Sequence, residues 1–168
     1  NWRAVVLSLL STLLNRQTLP KSTAVARRHY DAGNDLFEAM LGRSMLYTTG
    51  RWEHARSLDE AQEAKLDFVC RKLELAPGMR VLDIGCGWGG FARYAAQHFG
   101  VRVDGITLSR EQAALGQSLC SGLPVQLRIE DYRLVQDRYD RIVSLGMFEH
   151  VGYKNYRRYF SPARRCLA

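Results

Sequence analysis

Paired cysteines are missing from this chain. Cys70, Cys86, Cys120 and Cys166 stand far apart and form no C-x-x-C pair. That spacing argues against a zinc site and a disulfide framework, and makes reduced cytoplasmic thiols the expectation. Long apolar runs are lacking too. The most hydrophobic stretch, residues 2–14, is too short and too hydroxyl-rich to span a bilayer. There is no signal-peptide pattern, internal repeat or low-complexity tract. No initiator Met is present either: the 168 residues open at Asn1 as though cut from something longer.

Acidic residues are outnumbered. Lys and Arg total 24 against 17 Asp and Glu, a net +7 that divides as +3 over residues 1–80 and +4 over 81–168. Neither half is a charged tail. The excess suits anionic partners, nucleic acid or acidic lipid headgroups, without choosing between them. The apolar share of 46% supports one ordinary domain with its own core and argues against wholesale disorder.

Trp2, Val5, Val6, Leu9, Leu10, Leu13 and Leu14 form one helical stripe, read as packed on another segment in preference to lying on a membrane. Residues 15–21, with Pro20, read as a connector. In HYDAGNDLFEAML (29–41), Gly33 supplies a turn, Asn34 an N-cap, and Leu36, Phe37, Met40 and Leu41 a helix face. The aromatic stretch MLYTTGRW (45–52) reads as a loop. SLDE (57–60) reads as a capping box opening a helix that runs to about Leu75. Strands are then expected at 79–84, 101–106, 125–129 and 141–145, with helices after the first two. Residues 153–167 read as partly helical, interrupted at Pro162. This alternation predicts a Rossmann-like α/β fold, a doubly wound, mostly parallel sheet with a helical N-terminal extension. Three parts are expected: a helical segment and linker (1–27), a helical cap (28–78) and an incomplete cofactor-binding domain (79–168).

The stretch VLDIGCGWGG (81–90) carries the chemistry. An apolar strand runs into Asp83 and breaks into a loop of glycines at the carboxyl edge of the sheet. Gly85, Gly87 and Gly90 satisfy the dinucleotide pattern G-x-G-x-x-G, and Asp104 falls about 20 residues on, where a ribose-binding acid is expected. Asp104, however, lies inside a strand. The same loop satisfies D-x-G-x-G-x-G through Asp83, Gly85, Gly87 and Gly89, which resembles the first motif of class I S-adenosylmethionine methyltransferases. Asp131, in EDYR, stands where that superfamily uses an acid toward the adenine. Two ordered matches on one frame outweigh the dinucleotide pattern. Thr107 occupies the position where most such enzymes have a ribose-binding acid.

Four segments narrow the resemblance: HYDAGNDLF (29–37), PGMRVLDIGCGWGG (77–90), GITLSREQ (105–112) and DRYDRIVSLGMFEHVGYKNYRRYF (137–160). In order and spacing they resemble the cyclopropane-fatty-acyl-phospholipid synthases and the related mycolic acid cyclopropane synthases. The resemblance implies S-adenosylmethionine and bicarbonate as small-molecule partners, and membrane phospholipid acyl chains as substrate. It implies a peripheral location at the inner, cytoplasmic face of the membrane, no nucleic-acid partner, and a homo-oligomer as one state of the full-length protein. By the same resemblance Tyr47 and Thr48 lie against the cofactor, and Gly85, Cys86 and Gly87 form its loop beside the acceptor Asp83. Thr107 through Gln112, including Leu108, hold the ribose, while Asp131, Tyr132 and Arg133 surround the adenine. Glu149 is the carboxylate that helps hold bicarbonate, the base that removes a proton so the ring can close. An alkene is a poor nucleophile, so the methyl donor must be held in line and shielded from water. Aromatic faces then stabilise the cation that forms; Tyr30, Phe37, Trp52, Trp88 and Phe148 are near these motifs, each also readable as packing.

The chain departs from the family at Thr49, where a cysteine near the bicarbonate is common. It also ends at SPARRCLA, where relatives continue to a strand with an active-site His and later a Tyr. The expectation is therefore a fragment, truncated before the last three strands, with the fourth strand as an exposed edge. Two alternatives stand beside the synthase: a methyltransferase of another substrate class, and a remnant that binds cofactor without turnover. The basic run Lys154, Arg157, Arg158, Arg164 and Arg165 suits acidic headgroups or a solvated helix face.

Overall fold

The computed structural model describes Trp2 and residues 34–168. The rest of the N-terminal stripe, the connector and residues 29–33, with Tyr30, lie outside the described residues. Among residues 34–168, five helices and four strands run in the order α1 (Asn34–Leu41), α2 (Leu58–Lys72), β1 (Arg80–Ile84), α3 (Gly90–Phe99), β2 (Arg102–Thr107), α4 (Arg110–Leu119), β3 (Val125–Ile129), β4 (Arg141–Val143) and α5 (Tyr156–Cys166). Two single 3-10 turns, Phe148–His150 and Tyr153–Asn155, join β4 to α5. The sheet order is β3-β2-β1-β4 and every pairing is parallel.

The strands form where Val, Ile and Leu concentrate, and their alternation supplies both faces of the sheet. Val81 aligns with Val103 and Arg141, and Val103 aligns with Val125. Val81, Val103, Val125 and Val143 pack with Leu66 and Cys70 of α2 and with Phe91, Ala92 and Ala95 of α3. Leu82, Ile84 and Ile106 pack with Val135, Tyr139 and, from α5, Tyr159 and Cys166. Helices thus cover both faces, as a doubly wound fold requires. A smaller cluster of Phe37, Leu41, Met45 and Trp88 ties α1 to the loop after β1.

Several boundaries differ from the sequence reading, each for a local reason. Helix α2 begins after Ser57, whose Oγ accepts from the Glu60 N–H at 3.3 Å. The Glu60 carboxylate reaches the Arg56 N–H at 2.7 Å rather than that of Ser57, so the capping box is offset by one residue. Helix α2 stops short of Leu75 because Glu74 takes a positive φ of 52°. Asn34 is the first residue of α1, and its Oδ1 accepts the Trp88 indole N–H at 2.9 Å. β4 ends at Val143 because β1, its partner, leaves the ladder for the loop; the Ser144 hydroxyl then donates to the Ile84 carbonyl at 2.9 Å. Pro162 does not interrupt α5. It lies inside the helix on the buried face with Tyr159 and Cys166, and that burial offsets the one hydrogen bond the ring forgoes.

Among the described residues β4 is an outer strand of the sheet. Just before it, Tyr139 forms a parallel bridge with Leu167: the Tyr139 N–H donates to Cys166 O at 2.8 Å and the Ala168 N–H to Tyr139 O at 2.9 Å. The helix at the end of the chain therefore returns to the outer edge of the β4 segment. Phe91, 2% exposed in the larger core, is a direct gauge of that packing. Phe91→Ala is expected to lower the unfolding free energy by about 3–5 kcal/mol, read from urea denaturation; a loss under about 1 kcal/mol would mean that α3 is not part of the cooperative core.

Candidate functional site

The loop after β1 turns back at once. The N–H groups of Gly85 and Cys86 both donate to Ile106 O of β2, at 2.9 and 3.1 Å, and the Gly89 N–H closes a turn on Cys86 O at 2.9 Å. Gly85 has φ 80°, and a Cβ there would lie 2.6 Å from the Met147 side chain. Gly87, at φ 56°, would carry its Cβ into open space. The loop is therefore closed on one side by Met147 and leaves bare backbone at Gly87. Asp83 sits just before it, 2% exposed. Burial pushes the Asp83 carboxyl from 3.8 up to about 7, with no hydrogen bond or ion pair among the described residues offsetting the shift. Cys86 is buried and its thiol is held well above the ordinary range by desolvation and then by Asp83. It is a protonated packing group, with Sγ filling the space that a Cβ on Gly105 would need.

The next two strand ends stand beside this loop in the order of the sheet. After β2, the Thr107 hydroxyl donates to Gln112 Oε1 at 2.9 Å, and its oxygen accepts from the Ser109 N–H at 3.2 Å. Ser109 in turn caps α4 by accepting from the Gln112 N–H at 3.3 Å. Thr107 and Gln112 are both buried and Leu108 is half-buried. After β3, Asp131 is 7% exposed and held by Arg133 on both oxygens, Nε to Oδ1 at 2.7 Å and Nη2 to Oδ2 at 2.6 Å. The Arg133 guanidinium lies 5.4 Å from the centre of the Tyr132 ring, which packs on Tyr159 at 5.2 Å. Asp104 is elsewhere: within β2, it accepts from the Tyr139 hydroxyl at 2.9 Å and pairs with Arg80 at 3.3 Å.

The segment Leu46–Thr49 forms a strap on this edge. Thr48 packs its methyl against Gly146, beyond β4, while Tyr47 is exposed and sets its ring edge-on to Phe37 at 5.8 Å. Phe37 meets Trp88 of the glycine loop at 4.8 Å. Beneath the start of the strap, Gly90 of α3 passes so close to the Ser44 carbonyl that a Cβ would collide with it. Thr49, Trp52 and Glu149 are exposed, Glu149 on the 3-10 turn after β4. No hydrogen bond or ion pair links Thr49 to Glu149.

The structure thus brings Asp83, Gly85, Gly87, Thr107, Gln112, Asp131 and Tyr132 to successive carboxyl ends of β1, β2 and β3. It does not draw Glu149 or Thr49 into that hydrogen-bonded set. Two sets of partners are not singled out by the sequence: Tyr156, Tyr159 and Phe160 around Phe148, and Gln62 and Lys65. Phe148 stacks on Tyr156 at 4.7 Å and meets Tyr159 at 5.0 Å and Phe160 at 5.4 Å; the clustering of aromatics over 148–160 was the available signal. Gln62 and Lys65 of α2 reach the strap, signalled only by a polar residue within the buried stripe of that helix and another three positions on. Lys65 Nζ donates to Thr48 Oγ1 at 2.5 Å, and burial pushes its ammonium down to about 8.

Asp83 yields a pH prediction. An acid whose pKa is raised on folding binds its proton more tightly in the folded state, so stability falls as pH rises from about 4 to 7. The isosteric, neutral Asp83→Asn is expected to be more stable than the parent by about 4 kcal/mol at pH 8, the gap closing as pH falls toward 4. Thermal melts of both proteins across that range provide the check; a gap independent of pH would mean that Asp83 titrates normally.

Comparison with known proteins places this geometry. A family model described as mycolic acid cyclopropane synthetase matches residues 17–168. The cyclopropane-fatty-acyl-phospholipid synthase of Escherichia coli strain K12 is 52% identical over 155 residues, which is 92% of this chain and 41% of that protein. Sphingolipid C9-methyltransferase A of Emericella nidulans is 40% identical over 152 residues, covering 84% of this chain and 29% of its own length. A solved mycolic acid cyclopropane synthase, complexed with SAH and CTAB, superposes with a TM-score of 0.83 at 37% identity, covering 87% of this chain and 53% of that one. The chain therefore spans about half, or less, of each of these relatives.

Proposed function

Because this chain belongs to the mycolic acid cyclopropane synthetase family, we propose that it is the cofactor-binding portion of a cyclopropane-fatty-acyl-phospholipid synthase. The whole enzyme would transfer a methylene group from S-adenosylmethionine to the cis double bond of an unsaturated phospholipid acyl chain. The likeness to the Escherichia coli synthase, over 92% of the chain, carries this reading.

The residues present fit the cofactor. Asp83 is a buried acceptor whose charge nothing among the described residues compensates, so a cationic or hydroxyl-bearing ligand would relieve its cost. Gly87 offers backbone that a ligand can approach without meeting a Cβ. Thr107 and Gln112 would face the ribose, already oriented by their mutual hydrogen bond. Asp131 would accept from the adenine with a lone pair that Arg133 leaves over, and Tyr132 would lie beside the base. Leu108, Tyr47 and Thr48 would close the sides. When bound, the cofactor supplies an electrophilic methyl group on a sulfonium. The chain's part is to hold that group in line with the alkene and keep water out. Phe148 and Tyr159 would offer ring faces to positive charge developing on the acyl chain.

Bicarbonate belongs to the same reading, with Glu149 as its carboxylate and Thr49 nearby. The described residues do not assemble a site for it: both side chains are exposed and no shared hydrogen bond joins them. Self-association of the full-length protein is likewise part of the reading and draws on no contact among the described residues.

No described helix is long and apolar enough to cross a membrane. The same reading has the whole enzyme reach acyl chains peripherally, from the cytoplasmic face. The segment 153–168 supports this, with exposed Tyr153, Tyr156 and Phe160 interleaved with Lys154, Arg157, Arg158, Arg164 and Arg165 and no acidic residue. Sedimentation with vesicles checks it. The chain is expected to bind phosphatidylglycerol vesicles and not phosphatidylcholine ones, and Arg157→Glu with Arg158→Glu should release it; equal binding to both lipids would refute an anionic docking face.

The enzymatic reading predicts that the chain binds S-adenosylhomocysteine in calorimetry. The full-length protein should move label from methyl-labelled S-adenosylmethionine into unsaturated phospholipids with high-field cyclopropane signals by NMR. Labelled lipid that keeps its double bond would instead support lipid C-methylation without ring closure, which the likeness to the sphingolipid methyltransferase favours. Binding in the chain with no transfer by the full-length protein would leave only a cofactor-binding remnant.

A further inference from the structure

Helix α2 does more than cover the sheet. Its buried stripe runs through Ala61, Gln62, Leu66 and Cys70, and Gln62 is a polar residue only 2% exposed. The Gln62 amide nitrogen donates to two carbonyls of the strap, Leu46 O at 3.3 Å and Thr48 O at 2.9 Å. Two carbonyl acceptors require the nitrogen on that side, which fixes the orientation of the amide. Its Oε1 is left buried with no donor. An apolar side chain of the same size would avoid that cost but would take the donor away from both strap carbonyls, so the glutamine serves the strap and not the apolar core.

The strap is gripped from both edges. Carbonyls 46 and 48 face α2, while the intervening Tyr47 carbonyl lies 4.0 Å from the position of a Cβ on Gly146, on the β4 side. One helical turn beyond Gln62, Lys65 holds the Thr48 hydroxyl, and the Thr48 methyl is pressed against Gly146. The exit of the strap is fixed as well: the Arg51 N–H donates to Ala61 O at 2.8 Å, and Gly50 lies against the Ala61 methyl. These contacts come from α2 and from Gly146 beyond β4. Tyr47 remains exposed.

We propose that Gln62 and Lys65 are positioning residues: they clamp the Leu46–Thr48 strap between α2 and the end of β4, and so set cofactor affinity without touching the cofactor. This rests on the reading of the glycine loop and strap as the cofactor cradle. The clamp is a lattice of hydrogen bonds to a segment with little regular structure of its own. Removing its donors loosens the strap while the apolar core that holds the fold stays intact.

Gln62→Met and Lys65→Met keep the side-chain length and delete the donors, whereas Lys65→Arg keeps a donor. The full chain is labelled at its methyl groups and the order parameter of the Thr48 methyl is measured by NMR, with the Val103 methyls as core reporters; S-adenosylhomocysteine affinity is measured by calorimetry. Both Met variants are expected to lower the Thr48 order parameter, leave Val103 unchanged, and weaken binding about tenfold, with Lys65→Arg close to the parent. An undiminished Thr48 order parameter in both Met variants overturns the clamp. A loosened Thr48 with unchanged affinity overturns its link to the cofactor. A parent chain that binds no S-adenosylhomocysteine overturns the cradle reading instead, and the Thr48 methyl alone then decides the clamp.

Discussion

One carbonyl oxygen organises the functional edge of this molecule. Ile106 O, near the end of β2, receives the N–H groups of both Gly85 and Cys86. Two successive donors reach one acceptor only if the chain reverses as soon as it leaves β1, which the positive φ at Gly85 allows. That reversal lays Cys86 over β2, where only a glycine at position 105 leaves room for its sulfur. It also aims α3 back across the sheet, so that Phe91 and the alanines of its inner face meet the valines of β1 and β2. Site and core are therefore consequences of the same turn.

Around that turn the polar groups divide into two kinds. Thr107 with Gln112, and Asp131 with Arg133, are bonded to one another. Such pairs arrive at a ligand already oriented and lose little freedom when it binds. Asp83 differs, since it is buried and its carboxyl is raised by desolvation alone. Its cost in the free chain is the counterpart of what a ligand can recover, a pattern common at functional sites. The strap opposite, with Gln62 Oε1 buried and bare behind it, shows the same preference for placement over local stability.

The strand–helix alternation, the glycine loop and the order of the site motifs were legible in the sequence because each depends on neighbours within a few positions. The errors were equally local in origin. A capping box pairs Glu60 with the Ser57 N–H, but Arg56 offers a donor one residue earlier. Local pattern marks Pro162 as a break because a sequence cannot show that its ring lies on the buried face with Tyr159 and Cys166. Asn34 also holds a partner that no local pattern shows, since its oxygen accepts from Trp88, 54 positions away. The shortening of β4 depends on where β1 leaves the sheet, which is a property of the pair.

By itself the sequence determined the elements, the loop chemistry and the family resemblance, since periodicity, capping and glycine placement act over one or two turns of chain. Only the tertiary structure decided which polar groups pair with each other and which stay bare. That is why Gln62 and Lys65, unremarked in the sequence, stand behind the strap, and why Glu149 and Thr49, prominent there, lie exposed outside the hydrogen-bonded set. Hydrogen bonding and desolvation depend on what arrives from distant parts of the chain. The glycine loop could be read residue by residue, but the burial that raises Asp83 is a sum over the packing around it.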